Sequence, residues 1–229
     1  MYYIIITACL IEPDELRKCQ YTCGIRAIQS IVKNAPFPIQ LIIVENTGTK
    51  TSFLNEFDIP VIYTNSNNEL ITPNKGRKEW VDIQYVIQQL QIKDDDFIVK
   101  ITGRYIIENP CPFFDILFQN PTCSFGRNPD FNGFTTNTEA YTQKYEAIIR
   151  FGSFLSFGDG EPEPTNDLIS GLMGMYSKHY KSIPIPDDFT CIEHLIAKHI
   201  CDTIPRERIY TIKKLGIKMC PASNYYKSY

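Results

Sequence analysis

Four short apolar runs, each followed at once by polar residues, constrain this chain more than anything else in it. They are Tyr2 to Cys9, Ile39 to Val44, Val61 to Tyr63, and the run opening Phe97-Ile98-Val99-Lys100-Ile101-Thr102-Gly103-Arg104-Tyr105. Runs this short, apolar and β-branched read as strands buried on both faces. Such strands need helices on both sides of their sheet. Glu12-Pro13-Asp14-Glu15 puts Pro and acids where a helix begins. Leu16, Cys19, Cys23, Ala27, Ile28 and Ile31 then recur at three- and four-residue steps, so a helix covers Leu16 to Val32. Gly24 weakens it by up to about 1 kcal/mol relative to Ala. Asn34-Ala35-Pro36 ends it. A second helix opens at Asn74-Lys75-Gly76, with Trp80, Ile83, Val86, Ile87 and Leu90 on its inner face. Strand, helix, strand, strand, helix, strand is the order of a parallel, doubly wound α/β sheet.

Beyond Pro110 the texture changes. Cys111 to Asp130 is Pro-containing with a helical patch at Phe113 to Phe118, and the Thr- and Asn-rich Asn132 to Tyr141 reads as a loop. Gly152 to Thr165 is the most loop-like stretch. Gly171 to Tyr176 reads as a short strand, Cys191 to about Cys201 as a helix behind Asp187-Asp188-Phe189-Thr190, and Ile209 to Ile217 as a last strand or turn.

With 229 residues, 43% hydrophobic and 21% charged, one α/β domain with a substantial core is expected. A formal charge of −3 argues against nucleic acid or an anionic membrane as the main partner, while leaving room for a local anion site. The eight cysteines contain no C-x-x-C pair and lie apart from the three histidines, against a zinc site. The N-terminal run has no cationic leader and is too short to span a membrane, so reduced thiols in a cytoplasmic protein are expected.

Open α/β sheets hold ligands at the C-terminal ends of their strands. Glu45 and Asn46 follow the second run, where a base or ribose would sit. Asn65, Lys75 and Gly76 follow the third, and Thr102, Gly103 and Arg104 the fourth. A nucleotide cleft and a solvated rim both fit these residue types. Asp94-Asp95-Asp96 suggests a metal-binding D-x-D but precedes its strand. Six residues at ~3.3 Å each put it about 20 Å from the ligand edge.

Val44-Glu45-Asn46-Thr47-Gly48, then Asn74-Lys75-Gly76 with Glu79 three residues on, then Lys100-Ile101-Thr102-Gly103-Arg104-Tyr105 give the chain a specific likeness. It resembles glycosyltransferases of the GT-A fold, in particular small members from polysaccharide gene clusters and large DNA viruses that carry a K-x-T-G-R-Y element. Ile192-Glu193-His194 and Lys214-Leu215-Gly216-Ile217 fit that group's C-terminal half. The likeness covers residues 2–110 well and 165–220 loosely, and 111–164 match nothing. It implies a GT-A-like, Rossmann-like, mostly parallel sheet with a smaller C-terminal acceptor lobe. Residues 1–110 would form the nucleotide-sugar half and 111–229 the acceptor half of a single domain. If the viral likeness holds, the compartment is a host cytoplasm.

The resemblance further implies a nucleoside-diphosphate sugar bound across Thr7 to Cys9, Glu45, Asn46, Asn65, Lys75, Gly76 and the turn from Lys100 to Arg104. A glycan or other hydroxyl acceptor would lie against residues 130–190. The family's D-x-D, which holds Mn²⁺ or Mg²⁺ on the diphosphate, is replaced by Thr102-Gly103-Arg104. Arginine and lysine can offset the leaving diphosphate's charge instead, which makes Lys100 and Arg104 catalytic candidates. Both lie on one face of the strand with Thr102; if that face packs on a helix, Arg104 becomes a structural pin. Glu193 stands where the family keeps its catalytic base, although an acid there also suits a helix dipole. Glu161, Glu163 and Asp167 are the second choice. Two alternatives stay open: a sugar-phosphate nucleotidyltransferase, whose Gly-rich loop is missing after the first strand, and a non-catalytic carbohydrate- or protein-binding module.

Overall fold

The computed structural model describes residues 1–11, 15–119, 121–129, 135–152, 168–219 and 227–228. In chain order the elements are β1 (Tyr2–Ala8), α1 (Glu15–Lys33), β2 (Ile39–Glu45), β3 (Val61–Tyr63), α2 (Ser66–Glu69), α3 (Lys75–Gln89), β4 (Phe97–Thr102), β5 (Ile106–Ile107) and α4 (Pro112–Gln119). They continue with β6 (Pro121–Pro129), β7 (Thr135–Gln143), β8 (Ala147–Ile149), β9 (Leu172–Tyr176), α5 (Ser177–Ser182), α6 (Ile192–Thr203), β10 (Ile209–Thr211), β11 (Ile217–Met219) and β12 (Lys227–Ser228).

Seven strands form the central sheet in the order β10-β8-β9-β4-β1-β2-β3. β1 pairs in parallel with β2 on one side and β4 on the other, with Ile4 opposite both Leu41 and Val99. All seven β1 residues are buried because alternate side chains meet different helices. Tyr2, Ile4 and Ile6 pack with Tyr21, Ile25 and Ile28 of α1 and with Phe113 and Leu117 of α4. Tyr3 and Ile5 pack with Trp80, Ile83 and Val86 of α3 and with Ile196 and Ile200 of α6. The sheet is thus wound on both faces, and mostly parallel, as the apolar runs require.

The short strand expected over Gly171 to Tyr176 is β9, antiparallel to both β4 and β8 within the mostly parallel sheet. Two segments depart from the expectation. The Thr- and Asn-rich stretch expected as a loop forms β7, paired antiparallel with β6. Its threonines are β-branched, and a two-stranded ribbon tolerates polar faces. The last expected strand divides in two: β10 joins the central sheet, and β11 joins β5 and β12 in a three-stranded one. Asp94 to Asp96 do precede β4; Asp94 pairs with Lys181, and Asp96 accepts from the Lys93 amide.

Candidate functional site

The C-terminal ends of β1, β2 and β4 open into a cleft of about 460 Å³, flanked by the first turns of α1, α3 and α6. Because β9 is antiparallel, its first residues arrive at this same edge, which places Ser170 and Gly171 on the wall.

Lys100 sits under the cleft with 1% of its surface exposed. It shares the parity of Ile98, so it points toward α3 and not toward α1. Its Nζ lies 2.9 Å from Glu79 Oε2, donates to the Ser170 carbonyl at 2.7 Å and reaches Thr102 Oγ1 at 3.5 Å. An ammonium has three donors, and all three meet protein oxygens. Burying a charge is costly unless it is paired this fully.

Glu79 holds the other side. Its Oε1 accepts from Thr7 Oγ1 at 2.5 Å, and its side chain is 27% exposed into the cleft. Lys75, Glu79 and Asp82 follow at steps of four and three, so they share one side of α3 and all three line the cleft. Asp82 is buried, accepting from Thr64 Oγ1 at 2.6 Å and Asn46 Nδ2 at 2.9 Å. Burial pushes its carboxyl up from the ordinary range, against the pull of those donors. Asn46, 7% exposed on the cleft floor, keeps its Oδ1 without a partner among the described residues.

Glu193, in the first turn of α6, also faces the cleft. Ser170 Oγ donates to its Oε1 at 2.5 Å and Cys191 Sγ to its Oε2 at 2.9 Å. Burial and this carboxylate push the Cys191 thiol up to about 11. Lys100 therefore joins two carboxylates, Glu79 directly and Glu193 by way of Ser170.

Arg104 and Thr102 line the cleft after β4, with Thr7 and Cys9 after β1. The Cys9 amide donates to Tyr21 Oη at 2.9 Å, and burial raises the Cys9 thiol. Arg104 lies close enough to Tyr21 to counter the upward push of burial on that phenol. Neither the Arg104 guanidinium nor the Lys75 ammonium makes a hydrogen bond or ion pair among the described residues. Gly76 also lines the wall, and it brings α3 against α6: a Cβ there would meet Ile192 Cγ2 at 2.6 Å.

Three expected residues lie off the wall. Glu45 is 0% exposed and accepts from Leu10 N at 3.2 Å, Thr47 Oγ1 at 2.8 Å and Thr49 Oγ1 at 2.9 Å, so it ties the loops after β1 and β2 together. Asn65 bonds Glu69 and Asn68. Gly103 is buried between Ile6, Tyr21 and α1, its amide donating to the Thr7 carbonyl at 2.9 Å. Its missing side chain serves that packing. Glu161, Glu163 and Asp167 lie outside the described residues. Glu79, Asp82 and Ser170 are not among the site residues read from the sequence: Glu79 enters only as the last residue of the element that Asn74-Lys75-Gly76 opens, and Asp82 is a second acid beside that helix's apolar face.

Each oxygen of Glu79, Asp82 and Glu193 takes one protein donor, and among the described residues no group of three or more His, Cys, Asp or Glu could hold the divalent cation that D-x-D implies.

No family model matches the chain, and no curated protein matches it in sequence. Among solved structures it is similar to mouse xyloside xylosyltransferase 1 in its apo form, at 11% identity over 92% of this chain and 84% of that one, TM-score 0.42. It is also similar to 4-diphosphocytidyl-2C-methyl-D-erythritol synthase, at 7% identity over 97% and 95%, TM-score 0.46. A third is galactosyltransferase LgtC with donor and acceptor sugar analogs, at 10% identity over 97% and 88%, TM-score 0.44.

Proposed function

We propose that the chain is a glycosyltransferase that moves a sugar from a nucleoside-diphosphate sugar to the hydroxyl of a glycan, polysaccharide or glycoprotein acceptor. The observation that carries this is a charge reversal. A chain of formal charge −3 lines its strand-end cleft with five cations, Arg17, Lys75, Lys78, Lys100 and Arg104, against three carboxylates, Glu79, Asp82 and Glu193. A cationic cleft in an acidic protein suits a diphosphate. Lys75 adds its charge at the N-terminal end of α3, where the helix dipole also favours an anion.

In this scheme Arg104 and Lys75 bind the diphosphate, and Asn46 Oδ1 accepts an N–H from the base. Glu193 takes the proton of the acceptor hydroxyl as its oxygen attacks the anomeric carbon. The bond from that carbon to the diphosphate oxygen breaks with inversion, and the cations stabilise the departing charge. Lys100 acts at one remove by fixing Glu79 and Ser170. The test is donor hydrolysis and transfer with UDP-, GDP- and dTDP-sugars, with and without EDTA. Turnover that persists in EDTA is expected. Loss in EDTA with rescue by Mn²⁺ contradicts the role given to the cations, and binding without turnover across an acceptor screen makes the chain a binding module.

A further inference from the structure

We propose that Glu79 binds a vicinal diol of the donor molecule, a role that rests on the nucleotide-sugar assignment above. Each Glu79 oxygen takes one protein donor, Thr7 Oγ1 on Oε1 and Lys100 Nζ on Oε2. A carboxylate offers about four acceptor positions. The two left over belong to different oxygens of one rigid group that is partly exposed to the cleft. The geometry therefore provides two neighbouring acceptors with no movement of their own, since Lys100 and Thr7 fix the carboxylate from behind. A group that donates twice, from adjacent atoms, satisfies both.

Guanidinium and ammonium groups do this elsewhere, but the cleft's cationic surplus disfavours a cationic ligand. Among neutral groups, the N1–H and N2–H edge of guanine also donates twice but belongs to one base, whereas hydroxyls on adjacent carbons are carried by nucleotide sugars generally. A nucleotide sugar carries such a diol in two places, on the ribose and on the transferred sugar, and the two spare acceptors of Glu79 take one of them. Engaging hydroxyls with a charged acceptor also gives discrimination, because a site built for a hydroxyl rejects the analogue that lacks it.

The experiment is a coupling measurement by calorimetry on the full chain. Probes are UDP, GDP, CDP and ADP, their 2′-deoxy counterparts, and UDP-glucose, UDP-galactose and GDP-mannose, against wild type and Glu79→Gln. If the ribose supplies the diol, wild type binds one ribonucleotide about ten- to a hundredfold more tightly than its deoxy form, the range for a hydrogen bond to a charged group. In Glu79→Gln that ratio falls to about twofold or less. If the hexose supplies it, the deoxy ratio is the same in both proteins, and the tighter binding of the sugar conjugate over the bare nucleotide vanishes in the variant. Equal ratios in both arms overturn the role of Glu79 while leaving the donor assignment standing. Failure of wild type to bind any nucleotide overturns both. Glu79→Gln leaves Lys100 without its counter-charge, so Glu79→Gln combined with Lys100→Met, which removes the buried pair together, serves as the second variant. A general loss of packing lowers all affinities and leaves the ratios unmoved, which separates positioning of the fold from contact with the ligand.

Discussion

Lys100 and Arg104 stand four residues apart on one strand and its turn, yet the structure gives them opposite surroundings. Lys100 is enclosed, with its three donors on Glu79, Ser170 and Thr102. Arg104 faces the cleft with Tyr21 beside it. Their variants should therefore separate. Arg104→Ala is expected to lose about tenfold or more in nucleotide affinity, the worth of a charge-assisted hydrogen bond, with its melting temperature close to wild type. Lys100→Met strands the Glu79 carboxylate and should cost about 3–5 kcal/mol of stability, read from urea unfolding. An Arg104→Ala protein that binds nucleotide normally would remove the guanidinium from the donor site. The sequence placed both cations at a strand end but had no means of showing which was enclosed, because the burial of Lys100 depends on Glu79 and Ser170, 21 residues before it and 70 after.

At the scale of elements, the cleft depends on how closely α1 approaches the turn after β4. Gly24 lies on the buried side of α1, and a Cβ there would press on the Gly103 carbonyl oxygen and come within 2.7 Å of the Tyr105 carbonyl oxygen. Helix propensity alone favours Gly24→Ala by about 1 kcal/mol. Backbone cannot move aside as a side-chain tip can, and overpacking costs about 1–3 kcal/mol. We expect Gly24→Ala to be destabilised by up to about 2 kcal/mol in urea unfolding and to bind nucleotide more weakly, since Arg104 rides on the displaced turn. A variant more stable than wild type would contradict the close approach. From sequence Gly24 looked only like a flaw in the helix, because what it meets lies 79 residues away. Helix α3 was legible but its chemistry was not: Trp80, Ile83, Val86 and Ile87 announce a packed face, while Lys75, Glu79 and Asp82, spaced four and three apart, are residue types that a solvated helix side carries equally well.

For the whole molecule, the doubly wound sheet was legible because strands buried on both faces leave continuous apolar runs. Strand direction was not, since β9 has the same composition whichever way it pairs. That antiparallel strand has its start at the cleft and its end at the opposite edge, where a second polar cluster joins separate elements. Glu146, just before β8, contacts Lys178 Nζ and His179 Nε2 at 2.7 Å and Arg208 Nη1 at 3.3 Å. A carboxylate only accepts, so His179 donates through Nε2 and its Nδ1 accepts from His199 Nε2 on α6, 3.2 Å away. A second proton on His179 would have to enter that nitrogen-to-nitrogen contact. Burial lowers the affinity of both histidines for protons, for His179 against the pull of Glu146. Burial would raise Glu146, but Lys178, His179 and Arg208 together hold it below the usual carboxylate value. With folded values depressed in all three, the unfolded chain takes up protons first as pH falls. The histidine contribution is whole above about pH 6.5 and is lost as pH drops through the folded values, while that of Glu146 is lost below about pH 4.5. Melting temperature should therefore fall between pH 7 and pH 5 and fall again in stronger acid. His179→Asn should flatten the first limb while leaving the second, because Lys178 and Arg208 still face Glu146. A wild-type melting temperature constant from pH 7 to pH 5, or a variant with an unchanged slope there, would remove this cluster from the acid response.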